Sequence, residues 1–181
     1  MVLPDSQFQL LMEFAKQSPV LKKPQVVNFR VDQVSTPVFA AILPHAHQPS
    51  ISVVVGLPAR SPHCFVSVVD TANASAVASA IAVLEGIDAS DAANEGSCVP
   101  LELPLLLEKG VVAAQVLEIA QVGPLVGFPR FLQVADRRLH CLWVVWLSSD
   151  EYEVRASQGL KELLYRFDSG RDLVGLGGSS R

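Results

Sequence analysis

The segment that decides the fold is LHCLWVVWLSSDEYEVRASQGLKELLYRF, residues 139–167. Its first part, Leu139–Leu147, is an apolar run rich in β-branched and aromatic residues, as is typical of a strand covered on both faces. Ser148 and Glu151 then have the spacing of a capping box, and Asp150 and Glu151 suit the positive end of a helix. The segment therefore predicts a buried strand followed directly by a helix.

Apolar residues after this cap follow the spacing of one helical face: Tyr152, Ala156, Leu160, Leu163, Leu164 and Phe167. We therefore expect this helix to pack onto the sheet. Trp143 and Trp146 lie three apart in the strand, so they are predicted to face opposite sides of the sheet. Core packing is the expected role of both, with a partner interface as the alternative.

Composition limits the classes of function. The chain has 181 residues, of which 14 are basic and 18 acidic, and its net charge is -4. No dense cluster of lysine and arginine is present to neutralise a phosphate backbone, which argues against nucleic acid as a partner. Because 50% of residues are hydrophobic and only 18% charged, some apolar surface is expected to meet another chain, and a homodimer stays open.

The cysteines and the apolar stretches favour a cytoplasmic protein that does not enter membranes. Cys64, Cys98 and Cys141 match no zinc or redox spacing, and one of them would be left over from any disulfide. No stretch approaches the roughly 18 to 20 apolar residues that cross a bilayer. No signal peptide is recognised, because Glu13 interrupts the early apolar run.

The first part of the chain predicts a helix and then a meander of four strands. Asp5 or Ser6 can cap the helix and Pro19 ends it. Its predicted apolar face consists of Phe8, Leu11, Met12 and Ala15. The strand-like stretches that follow are VVNFRVDQV, PVFAAIL, ISVVVGL and HCFVSVV. Their links are short, which suits antiparallel neighbours.

The middle of the chain predicts a short alanine-rich helix over residues 74–84 and then an exposed acidic loop, EGIDASDAANEGS. This loop lacks the ligand spacing of a calcium loop. It is either a solvated surface loop or a docking loop for a basic partner. Residues 99–122 are ambiguous because Pro104 and Gly110 interrupt them, and we favour a helix after Gly110.

The last third predicts a strand at FLQVA, a bend at Asp136–Arg138 and the buried strand described first. From Ser169 onward, glycine and serine dominate. The domain is therefore predicted to span residues 1–168, with residues 169–181 as a flexible C-terminal tail.

No metal, cofactor or catalytic site is predicted. His63-Cys64 and His140-Cys141 invite a zinc hypothesis, but adjacent strand residues point to opposite faces, so each pair offers one ligand to a given site. The GLGG of the tail lacks the context of a phosphate loop. Cys98 is the only plausible reactive thiol, and an enzyme based on it would need His63 or His140 nearby.

Two stretches resemble the suppressor-of-fused-like domain family. ISVVVGLPARSP, residues 51–62, resembles that family's strand ending in a Val-Gly-(Leu/Met)-x-x-Arg-like turn. Residues 139–167 resemble its closing strand, the helix start and a Gly-x-x-x-Leu-Leu motif. Trp146 stands where the family commonly has proline, and residues 63–130 carry nothing that aligns.

The resemblance implies an α+β fold, with a mixed and mostly antiparallel sheet, that binds a protein and has no catalytic residues. Bacterial members are similar to immunity proteins that block polymorphic toxins or contact-delivered effectors, including those of type VI secretion. We therefore expect a cytoplasmic immunity-type protein that neutralises a cognate toxin by direct contact, with a secretion chaperone or adaptor as the alternative. A small enzyme that uses Cys98 is the third hypothesis. The candidate partner-binding residues are acidic: Glu85, Asp88, Asp91, Glu95, Asp150 and Glu151.

Overall fold

A mixed eight-stranded sheet with helices on both faces forms the body of the protein. The computed structural model describes residues 3–29, 38–88, 93–169 and 171–176, except for the side chains of 27–29, 87 and 88. The strands are β1 (Gln25–Phe29), β2 (Val38–Pro44), β3 (Ile51–Leu57), β4 (His63–Asp70), β5 (Cys98–Pro100), β6 (Val111–Glu118), β7 (Phe131–Val134) and β8 (Arg137–Ser148). The helices are α1 (Asp5–Gln17), α2 (Ala74–Asp88), α3 (Pro104–Leu107), α4 (Ser149–Gln158) and α5 (Leu160–Asp168).

The strand order is β1-β2-β3-β4-β8-β6-β5, and β7 pairs with the beginning of β8. Strands β1 to β4 form an antiparallel meander, which confirms the predicted arrangement. Residues 30–34 of the first predicted strand lie outside the described residues. Strand β4 runs parallel to β8, with His63 opposite His140, and the other pairings of β8 are antiparallel. The predicted α+β class with a mostly antiparallel sheet is confirmed.

Strand β8 lies at the centre of the sheet, as its apolar sequence predicts. Strand β4 borders one of its edges, while β6 and β7 pair with successive halves of the other. From Leu139 to Leu147 every residue except His140 is buried. The two tryptophans face opposite apolar layers, as predicted: Trp143 packs in the layer of α1 and α5, and Trp146 in the layer of α2.

The helix predicted after β8 begins with the capping box found in the sequence. The Ser148 hydroxyl accepts a hydrogen bond from the Glu151 amide, and the Glu151 carboxylate accepts one from the Ser148 amide at 2.9 Å. The helix is interrupted at Gly159, whose φ of +89° lies in the left-handed region. The predicted single helix is therefore two, α4 and α5, and Leu163 and Phe167 of α5 enter the core.

Two assignments in the middle of the chain need correction. Helix α2 continues to Asp88, so part of the predicted acidic loop is helical. The segment after Gly110 is strand β6 and not a helix, because it pairs with β8 over most of its length. Pairing with a central strand prevails over the helix propensity of Ala113 and Ala114.

The start of the predicted tail packs on the fold. Arg171 forms an ion pair with Glu151, and Leu176 is buried in the α2 layer. Leu173 and Val174 pack against the opposite layer. These contacts place the segment 171–176 against the fold, whereas residues 177–181 lie outside the described chain. The flexibility of the tail from Ser169 stays a prediction. Within the described ranges, none of the helices combines the length and the hydropathy needed to cross a bilayer.

Candidate protein-binding surface

The acidic residues proposed for partner binding fall into different environments. Glu95 and Asp150 are exposed, whereas Glu85 and Glu151 are buried. Asp91 and the side chain of Asp88 lie outside the described residues. The structure therefore does not gather the six into one surface, and their role in binding stays a prediction.

Glu151 has two structural partners. One is the capping contact with Ser148, and the other is Arg171, whose Nη2 lies 3.1 Å from Glu151 Oε2 and whose Nε pairs with Oε1. The same guanidinium donates to the carbonyl of Trp146 at 2.6 Å and lies 5.1 Å from the centre of the Phe167 ring. Glu151 therefore joins β8, α4 and the segment after α5.

Glu85 lies inside the fold because α2 extends past it. A Cβ atom added to Gly56 would meet Glu85 Oε1 at 1.8 Å, so the missing side chain of Gly56 leaves room for this carboxylate between α2 and β3. The prediction that Glu85 lies in an exposed loop is therefore wrong. Its negative charge also contributes to raising the pKa of Cys64.

The three cysteines are free thiols that lie in strands of the sheet. Cys64 and Cys141 are register partners in β4 and β8 and are fully buried. A hydrogen bond with Cys141, then burial, raise the pKa of Cys64 well above its ordinary value. Burial also raises the pKa of Cys98, although the charge of Arg155 opposes this. All of these effects except that of Arg155 favour the protonated thiol, which is the unreactive form.

The histidines take part in packing and in local hydrogen bonds. His45 Nδ1 accepts from the His47 amide at 3.2 Å, and His45 Nε2 lies 3.1 Å from the carbonyl of Pro124. This pairing places the proton on Nε2. His140 stacks on Phe131 with 4.7 Å between ring centres. Among the described residues, no group of three histidine, cysteine or carboxylate side chains could hold a metal ion.

A groove between α1 and the β7–β8 turn is a candidate binding surface. We call it the α1–β7 groove, and its volume is about 430 Å³. It is lined by Phe8, Gln9, Met12, Glu13, Lys16, Lys22, Gln133, Val134 and Ala135. Phe8 and Met12 are 52% and 45% exposed, so two large apolar side chains on one helix face solvent. Exposed, neighbouring apolar side chains of this kind are typical of interaction sites.

The apolar surplus of α1 explains why the groove exists. The helix buries Gln7, Leu10, Leu11, Phe14 and Ala15 against the sheet. Phe8, Met12 and Lys16 are spaced four apart, so they form a second stripe beside the buried one. The single face predicted from the sequence is therefore only half right, because Leu11 and Ala15 are buried but Phe8 and Met12 are not.

Helix α1 is held firmly, which makes the groove a preformed feature. The side-chain amide of Gln7 donates a hydrogen bond to the Leu57 carbonyl of β3 at 2.6 Å, and this bond is buried. Phe14 packs against Phe128 with 5.8 Å between ring centres. Phe8 and Met12 are therefore presented by a helix whose other side is fixed, which lowers the entropy cost of binding.

The charges of the groove are mainly basic. Lys16 lies 3.8 Å from Glu13, which also accepts a hydrogen bond from Gln17. Lys22 makes no ion pair with any residue in the described part of the chain. Two lysines thus face one glutamate in a protein whose net charge is -4.

Comparisons with known proteins support the fold. Neither protein-family profiles nor characterised proteins gave a match. Among solved structures, the chain is similar to the crystal structure of a proposed SUFU (suppressor of fused protein) homolog from Neisseria gonorrhoeae. The likeness has a TM-score of 0.68 at 14% sequence identity and covers 98% of this chain and 96% of that chain. The chain has a suppressor-of-fused-like fold.

This likeness spans the whole chain, whereas the two sequence stretches that suggested it cover only residues 51–62 and 139–167. Both stretches contribute central elements, β3 and β8 with α4 and α5. At this level of identity the likeness concerns the fold, and the binding surface has to be argued from this chain's own side chains. The α1–β7 groove was not predicted, and the one sequence signal for it was the excess of apolar residues in α1.

Proposed function

We propose that this chain is a cytoplasmic immunity-type protein that binds a cognate bacterial toxin or secreted effector and neutralises it by direct contact. The observation that carries the proposal is the α1–β7 groove, in which a firmly anchored helix exposes Phe8 and Met12. A rigid apolar surface of this kind suits protein recognition, because aromatic and methionine side chains are enriched in protein interfaces. The suppressor-of-fused-like fold, expected to bind proteins, supports the same class.

A secretion chaperone or adaptor is the second candidate, and the same groove favours it. An open apolar groove can hold a segment of an effector without touching the effector's active site. The two functions differ in their consequence for the toxin. An inhibitor abolishes the activity of the folded toxic domain, whereas a chaperone leaves that activity intact.

An enzyme that uses Cys98 receives less support. Burial raises the pKa of this thiol, and the thiol belongs to the short edge strand β5. A nucleophilic cysteine needs a lowered pKa or an adjacent base. Protein binding therefore accounts for more of the structure.

Co-expression in a bacterial host tests the proposal. The probe is the protein encoded by the reading frame next to this gene, produced with and without the chain, and the readouts are survival and co-purification. Survival together with a stable complex supports the immunity function. A complex without protection supports the chaperone instead, and the absence of both overturns the proposal.

A further inference from the structure

We infer that the α1–β7 groove binds a segment of the partner that carries both apolar side chains and carboxylates. The inference rests on the proposed function, because it assigns to the groove the chemistry of the partner that it would hold. It also assigns to the partner a charge opposite to that of the basic partner considered for the acidic loop in the sequence.

The apolar half of the inference follows from Phe8 and Met12. They stand one helical turn apart and line the groove together with Val134 of β7. The volume of about 430 Å³ falls within the range of roughly 300 to 1,000 Å³ of typical ligand pockets. Such a groove can take one or two apolar side chains, and a buried aromatic contact is a common centre of binding energy.

The acidic half follows from Lys22, because Lys16 already lies 3.8 Å from Glu13. Glu13 already interacts with Lys16 and Gln17, so its charge is partly compensated within α1. The ammonium group of Lys22 has no ionic partner among the described residues. A carboxylate on the occupant would complement the charge of Lys22, while a basic group on the occupant would be repelled by it.

A protein segment is the occupant, and not a nucleic acid, because the lining is mainly apolar and carries few cations. Binding to a phosphate backbone needs several lysine or arginine contacts. The aromatic ring of Phe8 lies along a helix beside Met12 and not on an extended basic groove. The groove therefore suits an amphipathic polypeptide.

Methionine methyl groups give a site-specific test. The chain has two methionines, Met1 and Met12, so a chain labelled with ¹³C at the methionine methyl groups reports the groove through Met12. The intact chain is titrated with three short synthetic peptides, one of leucine and glutamate, one of leucine and lysine, and one of serine and glutamate. We expect saturable shifts of Met12 with the Leu/Glu peptide at a Kd below about 1 mM. Binding of the Leu/Lys peptide should be weaker, and the Ser/Glu peptide should give no shift.

Surface variants separate the apolar contribution to peptide binding from the ionic one. Phe8→Ala should weaken binding of the Leu/Glu peptide about tenfold, because it removes the aromatic contact. Lys22→Glu should weaken it about two- to fivefold and reduce the preference over the Leu/Lys peptide. Leu105→Ala and Lys109→Glu are matched controls on α3 and the following turn, with Leu105 57% exposed, and should leave binding unchanged.

Each remaining outcome contradicts the inference. It is overturned if the Leu/Lys peptide binds as tightly as the Leu/Glu peptide, if only Met1 shifts, or if no peptide shifts Met12. The peptide titration is independent of the survival assay. If the chain binds the Leu/Glu peptide but gives no protection, the inference about the groove stands and the immunity function is overturned. If the chain protects but does not bind the peptide, the immunity function stands and the inference about the groove is overturned.

Discussion

Arg171→Met is expected to destabilise the protein strongly, although the residue lies where the sequence suggests a mobile tail. The side chains of Arg171 and Glu151 are only 8% and 12% exposed. Replacement by methionine keeps much of the apolar stem but leaves the Glu151 charge in the interior with only its capping contact. It also removes the hydrogen bond to the Trp146 carbonyl and the contact with the Phe167 ring.

The size of the effect follows from these contacts. Removing one partner of a buried ion pair costs about 3 to 5 kcal/mol. The remaining capping bond of Glu151 and partial access of water reduce this, so we expect a loss of about 3 kcal/mol in the free energy of unfolding. For a chain of this size the loss corresponds to a decrease in Tm of about 6 to 12 °C.

Urea unfolding followed by circular dichroism measures the effect. Arg166→Met is the matched control, since Arg166 is exposed on α5, and its effect should stay within about 0.5 kcal/mol. A double-mutant cycle with Glu151→Gln should give a coupling energy above about 1 kcal/mol. If Arg171→Met unfolds at the same urea concentration as the wild type, the segment Arg171–Leu176 is not part of the folded core and the reasoning is refuted.

Four further predictions concern the cap, a close contact and, in two cases, the thiols. Ser148→Ala should lower the free energy of unfolding in urea by about 1 kcal/mol, because it removes the helix cap. The control Ser149→Ala keeps the cap and should cost less than half of that, so equal effects would contradict the capping role. Gly56→Ala should cost about 1 to 3 kcal/mol by overpacking against the buried carboxylate of α2, and an unchanged Tm would mean that this contact is absent. When the folded protein is treated with an alkylating reagent, Cys98 should be modified faster than Cys64. In urea, the two thiols should be modified at similar rates. Because the pKa of Cys64 is raised, the folded chain keeps a proton that the unfolded chain releases, so stability should fall as pH rises above 9.0.

The sequence predicted well where one local pattern determines the structure. Strand β8 has few polar residues, so its central and buried position follows from composition alone. The capping box of Ser148 and Glu151 is a contact within one turn, and the structure contains it. The meander of β1 to β4 likewise depends on short links between neighbouring strands.

Prediction from the sequence failed where contacts between distant parts of the chain determine the structure. Strand β6 has helix-forming alanines, and its pairing with β8 could be known only from the folded sheet. Arg171 lies in the glycine- and serine-rich stretch that begins at Ser169, and nothing local indicates that Glu151 is its partner. Glu85 is an ordinary acidic residue in the sequence, yet Gly56, far away in the chain, provides the room that buries it.

The candidate binding surface illustrates the same limit for charge. Counting residues gives a net charge of -4 and an apparent acidic loop, which suggested a basic partner as one of two alternatives. The fold assigns Glu151 to an internal ion pair and buries Glu85, and it places Lys16 and Lys22 beside the exposed Phe8 and Met12. Because the field at a docking site depends on nearby charges and is screened within about 10 Å at moderate salt, the local lysines outweigh the net charge. Binding through the groove should therefore select acidic segments in spite of the overall negative charge of the protein.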